Sequence, residues 1–222
     1  VDHRDIFSDP ACLPTFNSHA IESRQHHIDG LSDHIVYMND DFLFGRRLRH
    51  TTIFHPNGIA KFFMSGAVLS GESLSVDHAA RNAADLLEAE FAVRVTNKMK
   101  HAPYALRRSA LAALEDRFPD AFARTALHQL RSPDDIPVAS SMGHYFGSFL
   151  GTAVPGTIAN AYVDIGGPGF EEILESIALT RNYDVICLND SGSGEVDADR
   201  RDAAVRRWLE SYYPVPGEFE ND

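Results

Sequence analysis

Two short apolar runs, His34–Met38 and Tyr183–Leu188, both stop abruptly at Asn-Asp: Asn39-Asp40-Asp41 after the first, Asn189-Asp190 after the second. Runs this short suit buried strands better than helices. They alternate with longer Ala- and Leu-rich segments at helical spacing, so the chain reads as α/β. In an open α/β sheet, ligands gather beyond the carboxyl ends of the strands. If the two runs are parallel neighbours, ~4.8 Å apart, their terminal carboxylates meet at one edge, close enough to share a metal or a substrate. Asn-Asp after a strand is also ordinary turn chemistry, and the residues alone leave both readings open.

The segments around them fill out the pattern. Asn17 or Ser18 caps a helix running to about Ile28, which Asp29-Gly30 stops. Residues 42–75 mix aromatics with Gly and Ser and read as short strands and turns. Val76–Phe91 carries Ala80, Ala83, Ala84 and Leu87 at helical spacing, and Tyr104–Arg117 does the same with Leu106, Ala110, Ala113 and Leu114. Phe118-Pro119 ends that second helix; Phe122, Leu127 and Leu130 suggest a third. Asp134–Leu150 reads as helical with Pro137 in its first turn. Thr157–Ile165 is a strand, Gly166–Gly169 a turn, and Phe170–Leu179 a helix with Ile173, Leu174 and Ile177 inward. After a loop at Ser191–Ser193, Asp199–Tyr212 closes the chain as a helix with Ala203, Trp208 and Leu209 inward.

The net charge of −12 excludes a general nucleic-acid surface, which needs a basic face. It also sets a condition on any enzyme that binds a pyrophosphate: a divalent cation and a few placed Arg residues must offset the anion. Cys187 lies in an apolar run and reads as a buried free thiol; with only Cys12 besides it, a single bridge is the most the chain can form. No apolar run approaches the ~20 residues of a membrane helix. The opening Val1-Asp2-His3, without Met or a signal-like stretch, reads as a cut inside a longer protein.

Several side chains are candidates for chemistry. Asp41 and Asp190, as hard oxygen ligands at strand ends, suit Mg²⁺ or Mn²⁺ better than zinc. His101, in Lys98-Met99-Lys100-His101-Ala102-Pro103 ahead of a helix, could accept a hydroxyl proton, although a surface or capping role is the commoner fate of such a residue. Arg81 and Arg131 could serve as phosphate forks or as solvated or salt-bridged cations. Glu22, early in its helix, could merely stabilise the helix N-terminus. His26 and His27 adjoin and, on a helix, point to different sides, which argues against their acting as co-ligands. Gly166-Gly167-Pro168-Gly169 is neither a Walker loop nor a dinucleotide fingerprint.

Taken in order, these pieces resemble the Stealth family, which includes bacterial capsule and exopolysaccharide hexose-1-phosphate transferases and the catalytic subunit of the GlcNAc-1-phosphotransferase that tags lysosomal enzymes. His3-Arg4-Asp5-Ile6-Phe7, Leu13–Ser18 with Ala20-Ile21-Glu22-Ser23, and Tyr37–Asp41 resemble its second conserved block; His101-Ala102-Pro103, Phe118-Pro119 and Leu130-Arg131-Ser132 the third. Ile186–Asp190, Tyr213-Pro214-Val215-Pro216 and Phe219-Glu220 resemble the fourth. The likeness covers nearly the whole chain, in blocks at approximately 1–55, 95–150 and 183–222 of a single catalytic domain, residues 1–222. The first block, associated with nucleotide binding, is not found, which reads as an N-terminally incomplete catalytic domain.

The resemblance implies a Rossmann-like, glycosyltransferase-like core. It further implies Mg²⁺-dependent transfer of a sugar phosphate from a UDP-sugar donor to a glycan acceptor, with release of UMP. By position, His101 matches the family's general base, Asp41 and Glu22 its essential acids, and Arg131 a phosphate-stabilising cation. Asn17, Ser18, Asn39, Arg81 and Asn189 fall at substrate-binding positions, and Asp41 and Asp190 at metal positions. A cytoplasmic setting is the expected location, with peripheral association with a membrane left open. Homo-oligomerisation is left open.

Overall fold

The structure, a computed structural model, describes residues 1–68, 75–192 and 194–217. The chain is mixed α/β and divides into two compact units: Val1–Met38 with Arg49–Thr157, and Asn39–Leu48 with the segment from Ile158 onward. The first unit opens with helix α1 (Ser18–Glu22) and strand β1 (His34–Tyr37). The chain then enters the second unit for β2 (Phe42–Phe44) and returns for α2 (His50–Ile53), β3 (Ala60–Phe62), β4 (Met64–Val68) and α3 (Ser75–Phe91). Next come β5 (Asn97–Met99), β6 (Tyr104–Arg107), α4 (Arg108–Arg117), α5 (Pro119–Leu127), α6 (Gly143–Phe149) and β7 (Ala153–Pro155). The second unit is completed by β8 (Asn160–Asp164), α7 (Phe170–Thr180), β9 (Val185–Asn189) and α8 (Ala198–Tyr212).

In the first unit, three two-stranded sheets carry the strands: β1 with β6 antiparallel, β3 with β7 parallel and β4 with β5 antiparallel. Leu87, Leu111, Leu114, Phe122, Ile136 and Met142 are fully buried and form much of its interior. The predicted helix over Tyr104–Arg117 is in fact strand then helix. Leu106, Ala110 and Leu114 keep a spacing of four across the junction, so the apolar period runs on unbroken, but Tyr104–Arg107 pairs residue for residue with His34–Tyr37. The predicted helix after Asn17 is also shorter: α1 ends at Glu22, and a 3₁₀ turn over Gln25–His27 follows. Helicity does not begin at Asp134. It begins at Val138 as a wide π turn in which the Met142 N–H donates to Pro137 O, five residues back, at 3.2 Å. That turn runs directly into α6, where a Cβ on Gly143 would lie 2.6 Å from Val138 O.

In the second unit, β8, α7 and β9 form a parallel β–α–β crossover, and β2 adds antiparallel to the other side of β9. Its core is Val163, Phe170, Leu174, Ile177, Ile186, Ala204, Trp208 and Tyr212. The inward faces of the two helices differ by one residue from the sequence reading. Leu174 and Ile177 are buried but Ile173 is 46% exposed, and α8 turns in Ala204, Trp208 and Tyr212 while Ala203 faces solvent. The Trp208 Nε1–H donates to Leu174 O at 2.7 Å and the Tyr212 hydroxyl to Gly45 O at 2.7 Å, which satisfies both polar tips inside the core. Cys12 and Cys187 are both buried and free. Among the described residues no helix is long and apolar enough to cross a membrane. Part of the Ser191–Ser193 loop and the Phe219-Glu220 motif lie outside the described residues.

Candidate active site

In the first unit the candidate residues collect around α1, whose start is built by Asn17. The Asn17 side chain caps the helix by accepting from the His19 N–H at 3.1 Å. Its amide nitrogen donates to Asp135 Oδ2 at 2.8 Å and to the carbonyls of His128 and Leu130. Asn17 is wholly buried with its amide used up, so it fastens the loop that bears Arg131 rather than meeting a substrate. The buried Asp135 also accepts from Ser132 N at 2.9 Å, His128 Nδ1 at 2.7 Å and His19 Nδ1 at 3.4 Å. Burial alone would raise its carboxyl, but the donors from His19, Ser132, His128 and Asn17 hold it down to about 2. Arg131, exposed on this braced loop, donates to Ser18 Oγ at 2.8 Å. One cation and one hydroxyl are thereby paired at the mouth of the helix.

Glu22 is the last residue of α1, not an early one, so the dipole reading fails: a carboxylate at a helix C-terminus gains nothing from the macrodipole. It is buried, and it accepts from the Tyr37 hydroxyl at 3.3 Å and from the Ala139 N–H. Burial raises its carboxyl despite the lowering influence of His19, Ala139, Tyr37 and Arg131. The same burial, together with Glu22, pushes the Tyr37 phenol up. A buried acid whose carboxyl is raised is a candidate for a functional role, although structural networks perturb carboxyls too.

The sign of its effect on stability follows. A folded-state carboxyl raised above its usual 4.5 is harmless below that pH and destabilises the fold increasingly as pH rises past it. Glu22→Gln is therefore expected to leave stability unchanged near pH 4 and to raise Tm at pH 7. Thermal melts at the two pH values check it; a variant less stable than wild type at pH 7 would contradict it.

His101 is exposed, in the turn that leads from β5 into β6, so it precedes a strand and not a helix as the sequence suggested. Arg81 lies half-buried within α3.

In the second unit, the two Asn-Asp strands are not neighbours, because β1 belongs to a different sheet. The acids still reach one edge, by another route. Asp41 enters the antiparallel strand β2 opposite the carboxyl end of β9: the Leu188 N–H donates to Asp41 O at 3.0 Å, and Phe42 faces Cys187 in register. Beside them, the parallel register sets Asp164 against Asn189. Asp164 shapes the loop beyond, accepting from the Ser191 hydroxyl at 2.8 Å and the Gly166 N–H at 3.1 Å. Asn39 starts the turn into β2, its carbonyl accepting from the Phe42 N–H at 3.2 Å.

Asp41 is the unusual residue of this edge. Its Oδ2 accepts from the Cys187 thiol at 3.2 Å, while Oδ1 is buried with no hydrogen-bond partner among the described residues. Burial, and Asp41 itself, push that thiol up, in keeping with its S–H donating to Oδ2. A buried carboxylate oxygen with free lone pairs is a hard donor of the kind that a cation such as Mg²⁺ takes. Asp190 does not share this state: Arg201 pairs with one of its oxygens at 2.8 Å and the Gly192 N–H with the other at 3.0 Å.

His19, Asp135 and Asp164 were not legible as site residues, since none sits in a chemical motif. The one available signal was Asp164 closing a strand ahead of a Gly-Gly turn.

Sequence models of the Stealth protein conserved regions match in order: conserved region 2 over residues 1–62, region 3 over 100–148 and region 4 over 175–222. The chain belongs to the Stealth family. All the candidate residues except Arg81 fall inside these Stealth regions: Asn17, Ser18, Glu22, Asn39 and Asp41 in the first match, His101 and Arg131 in the second, Asn189 and Asp190 in the third. Among Stealth relatives, the exopolysaccharide phosphotransferase SCO6023 of Streptomyces coelicolor is 43% identical over 99% of this chain. CpsY of Mycobacterium tuberculosis and a phosphotransferase of the same description from Nocardia farcinica are each 40% identical over 97%. The chain spans 38%, 42% and 44% of the lengths of these three proteins.

Proposed function

We propose that this chain is the larger part of the catalytic region of a sugar-phosphate transferase of exopolysaccharide synthesis. It would take a UDP-sugar as donor and a hydroxyl of a glycan as acceptor, in a cytoplasmic setting. The observation that carries the reading is whole-chain similarity to exopolysaccharide phosphotransferases, with the candidate acids, base and cation lying inside the matched regions. The β8–α7–β9 crossover, with Asp41, Asp164 and Asn189 at its carboxyl edge, supports a Rossmann-like, glycosyltransferase-like core.

In the proposed reaction the acceptor oxygen bonds to the β-phosphorus of the donor. The bond from that phosphorus to the bridging oxygen breaks, and UMP leaves with the bridging oxygen. His101 takes the hydroxyl proton. Arg131, braced through Asn17 and Asp135, faces the phosphate charge, as does Arg81, and Ser18 orients Arg131. Phosphoryl transfer asks for positioning and charge neutralisation more than for covalent chemistry, which suits such a set. Asp41 would hold Mg²⁺ or Mn²⁺, which when bound supplies neutralisation of the pyrophosphate. Glu22, buried and biased toward its protonated form, stores a proton or a hydrogen bond for the substrate.

Product analysis tests the proposal directly. Incubation of the full-length protein with a UDP-sugar and a glycan acceptor is expected to release UMP and leave a phosphodiester on the acceptor. Release of UDP with a plain glycosidic product would replace phosphotransfer by a metal-dependent glycosyltransferase.

A further inference from the structure

A second cluster of chemistry-bearing side chains lies elsewhere in the first unit. The 3₁₀ turn Gln25–His27 aims both of its histidines at α4: His26 Nε2 lies 2.7 Å and His27 Nε2 2.8 Å from the same oxygen of Glu115, Oε2. The expectation that adjacent histidines diverge assumed α-helical geometry; on this turn the rings sit edge-to-face with centroids 4.3 Å apart.

The protonation pattern makes the arrangement informative. His27 Nδ1 faces the Ile6 carbonyl at 3.2 Å, which can only accept, so Nδ1 carries a hydrogen. In the neutral ring Nε2 is then a bare lone pair, and it is aimed at a carboxylate oxygen. Arg24 holds the other oxygen of Glu115, and what joins the histidine nitrogens to Oε2 is an electrophile, a metal ion or a proton. His26 adds a second nitrogen to the same point; its Nδ1 is buried without a partner among the described residues, which leaves Nε2 as the ring's polar outlet.

From this convergence of two imidazole nitrogens and one carboxylate oxygen, we propose that His26, His27 and Glu115 form a binding site for a transition-metal ion of the Zn²⁺ type. All three ligand atoms lie within 4.8 Å of one another. A two-His, one-carboxylate set is borderline-soft and matches zinc, with a fourth position left for water. The outer contacts are those that orient such ligands: the His27 Nδ1–H to a backbone carbonyl, and Arg24 on the other Glu115 oxygen. Access is open, since the residues line a cleft of about 440 Å³ and His27 is 35% exposed. The ion would clamp the turn that follows α1 onto α4. The site shares no residue with the edge at Asp41.

The test uses chelator-treated full-length protein in excess Mg²⁺, titrated with Co²⁺ as a spectroscopic stand-in for zinc. Wild type is expected to show visible ligand-field bands saturating at one equivalent, displaced by Zn²⁺, with Zn²⁺ raising Tm. In His27→Ala and Glu115→Gln, with folding checked by circular dichroism, affinity is expected to fall by more than the ~10–100-fold that loss of an outer-shell partner costs. Asp41→Asn should keep the bands. The assignment is overturned if folded wild type gives no bands and responds only to pH, which would make the electrophile a proton. It is equally overturned if the bands survive His27→Ala.

Discussion

Replacing His101 with Ala in the full-length protein is expected to lower kcat by about 10²-fold or more, the contribution of a positioned general base. The surroundings of His101 make this a clean experiment. Its ring is exposed, but the backbone on both sides is fixed: the Lys100 N–H donates to Phe63 O at 2.8 Å, Ala102 and Pro103 are buried, and Tyr104 begins the β6 ladder with β1. Truncating the ring removes a proton acceptor without opening a cavity in the core. Melting of the variant is measured beside turnover, so that loss of fold is told apart from loss of chemistry. A matched pair of measurements therefore decides the role: unchanged melting with lost turnover assigns chemistry to His101. Unchanged melting with unchanged turnover would instead favour a fragment that binds sugars or partners without transforming them.

How legible this was depended on whether each feature was local. The apolar spacing along α3, α7 and α8 located those helices, because a helix is written in its own residues. The strand Tyr104–Arg107 was hidden by the same logic: its apolar residues continue the period of α4, and only pairing with His34–Tyr37, far away in sequence, makes it extended. The Asn-Asp echo placed its acids at one sheet edge through a pairing of β1 with β9 that the structure does not have. Asp41 reaches the end of β9 by starting an antiparallel strand, and no repeat of strand-then-acid announces that. The role of Asn17 and its grouping with His19 around Asp135 depend on contacts across more than a hundred positions, between residues in no chemical motif. His26 and His27 were misjudged because turn type sets side-chain direction, and a 3₁₀ turn is not spelled differently from the start of an α-helix. The chemistry of phosphotransfer, by contrast, came from likeness to a family, since the residues alone do not say which bond breaks.

Asp41→Asn is expected to abolish the response of the enzyme to Mg²⁺ and to cost on the order of 10²–10³-fold in rate at saturating metal, the scale of removing one preorganised electrostatic partner. The substitution is nearly isosteric, so geometry is preserved and the change is confined to charge and lone pairs. The amide oxygen can still accept from the Cys187 thiol, as Oδ2 does now at 3.2 Å. The amide nitrogen then occupies the place of Oδ1, the buried atom that has no partner among the described residues, and presents hydrogens where a cation needs electrons. Stability should hold or rise, because a buried charge with one unsatisfied oxygen is a cost to the fold that neutralisation removes. Catalytic loss joined to unimpaired melting is the pattern of a residue retained for function at the expense of stability. Initial rates measured against Mg²⁺ concentration separate the possibilities: wild type should saturate and the variant should stay flat. A variant with a normal rate and a normal Mg²⁺ curve would remove Asp41 from the metal site. Its unpaired oxygen would then have to be answered by a substrate donor, and Asp41→Asn would raise KM for the donor sugar while leaving the metal curve untouched.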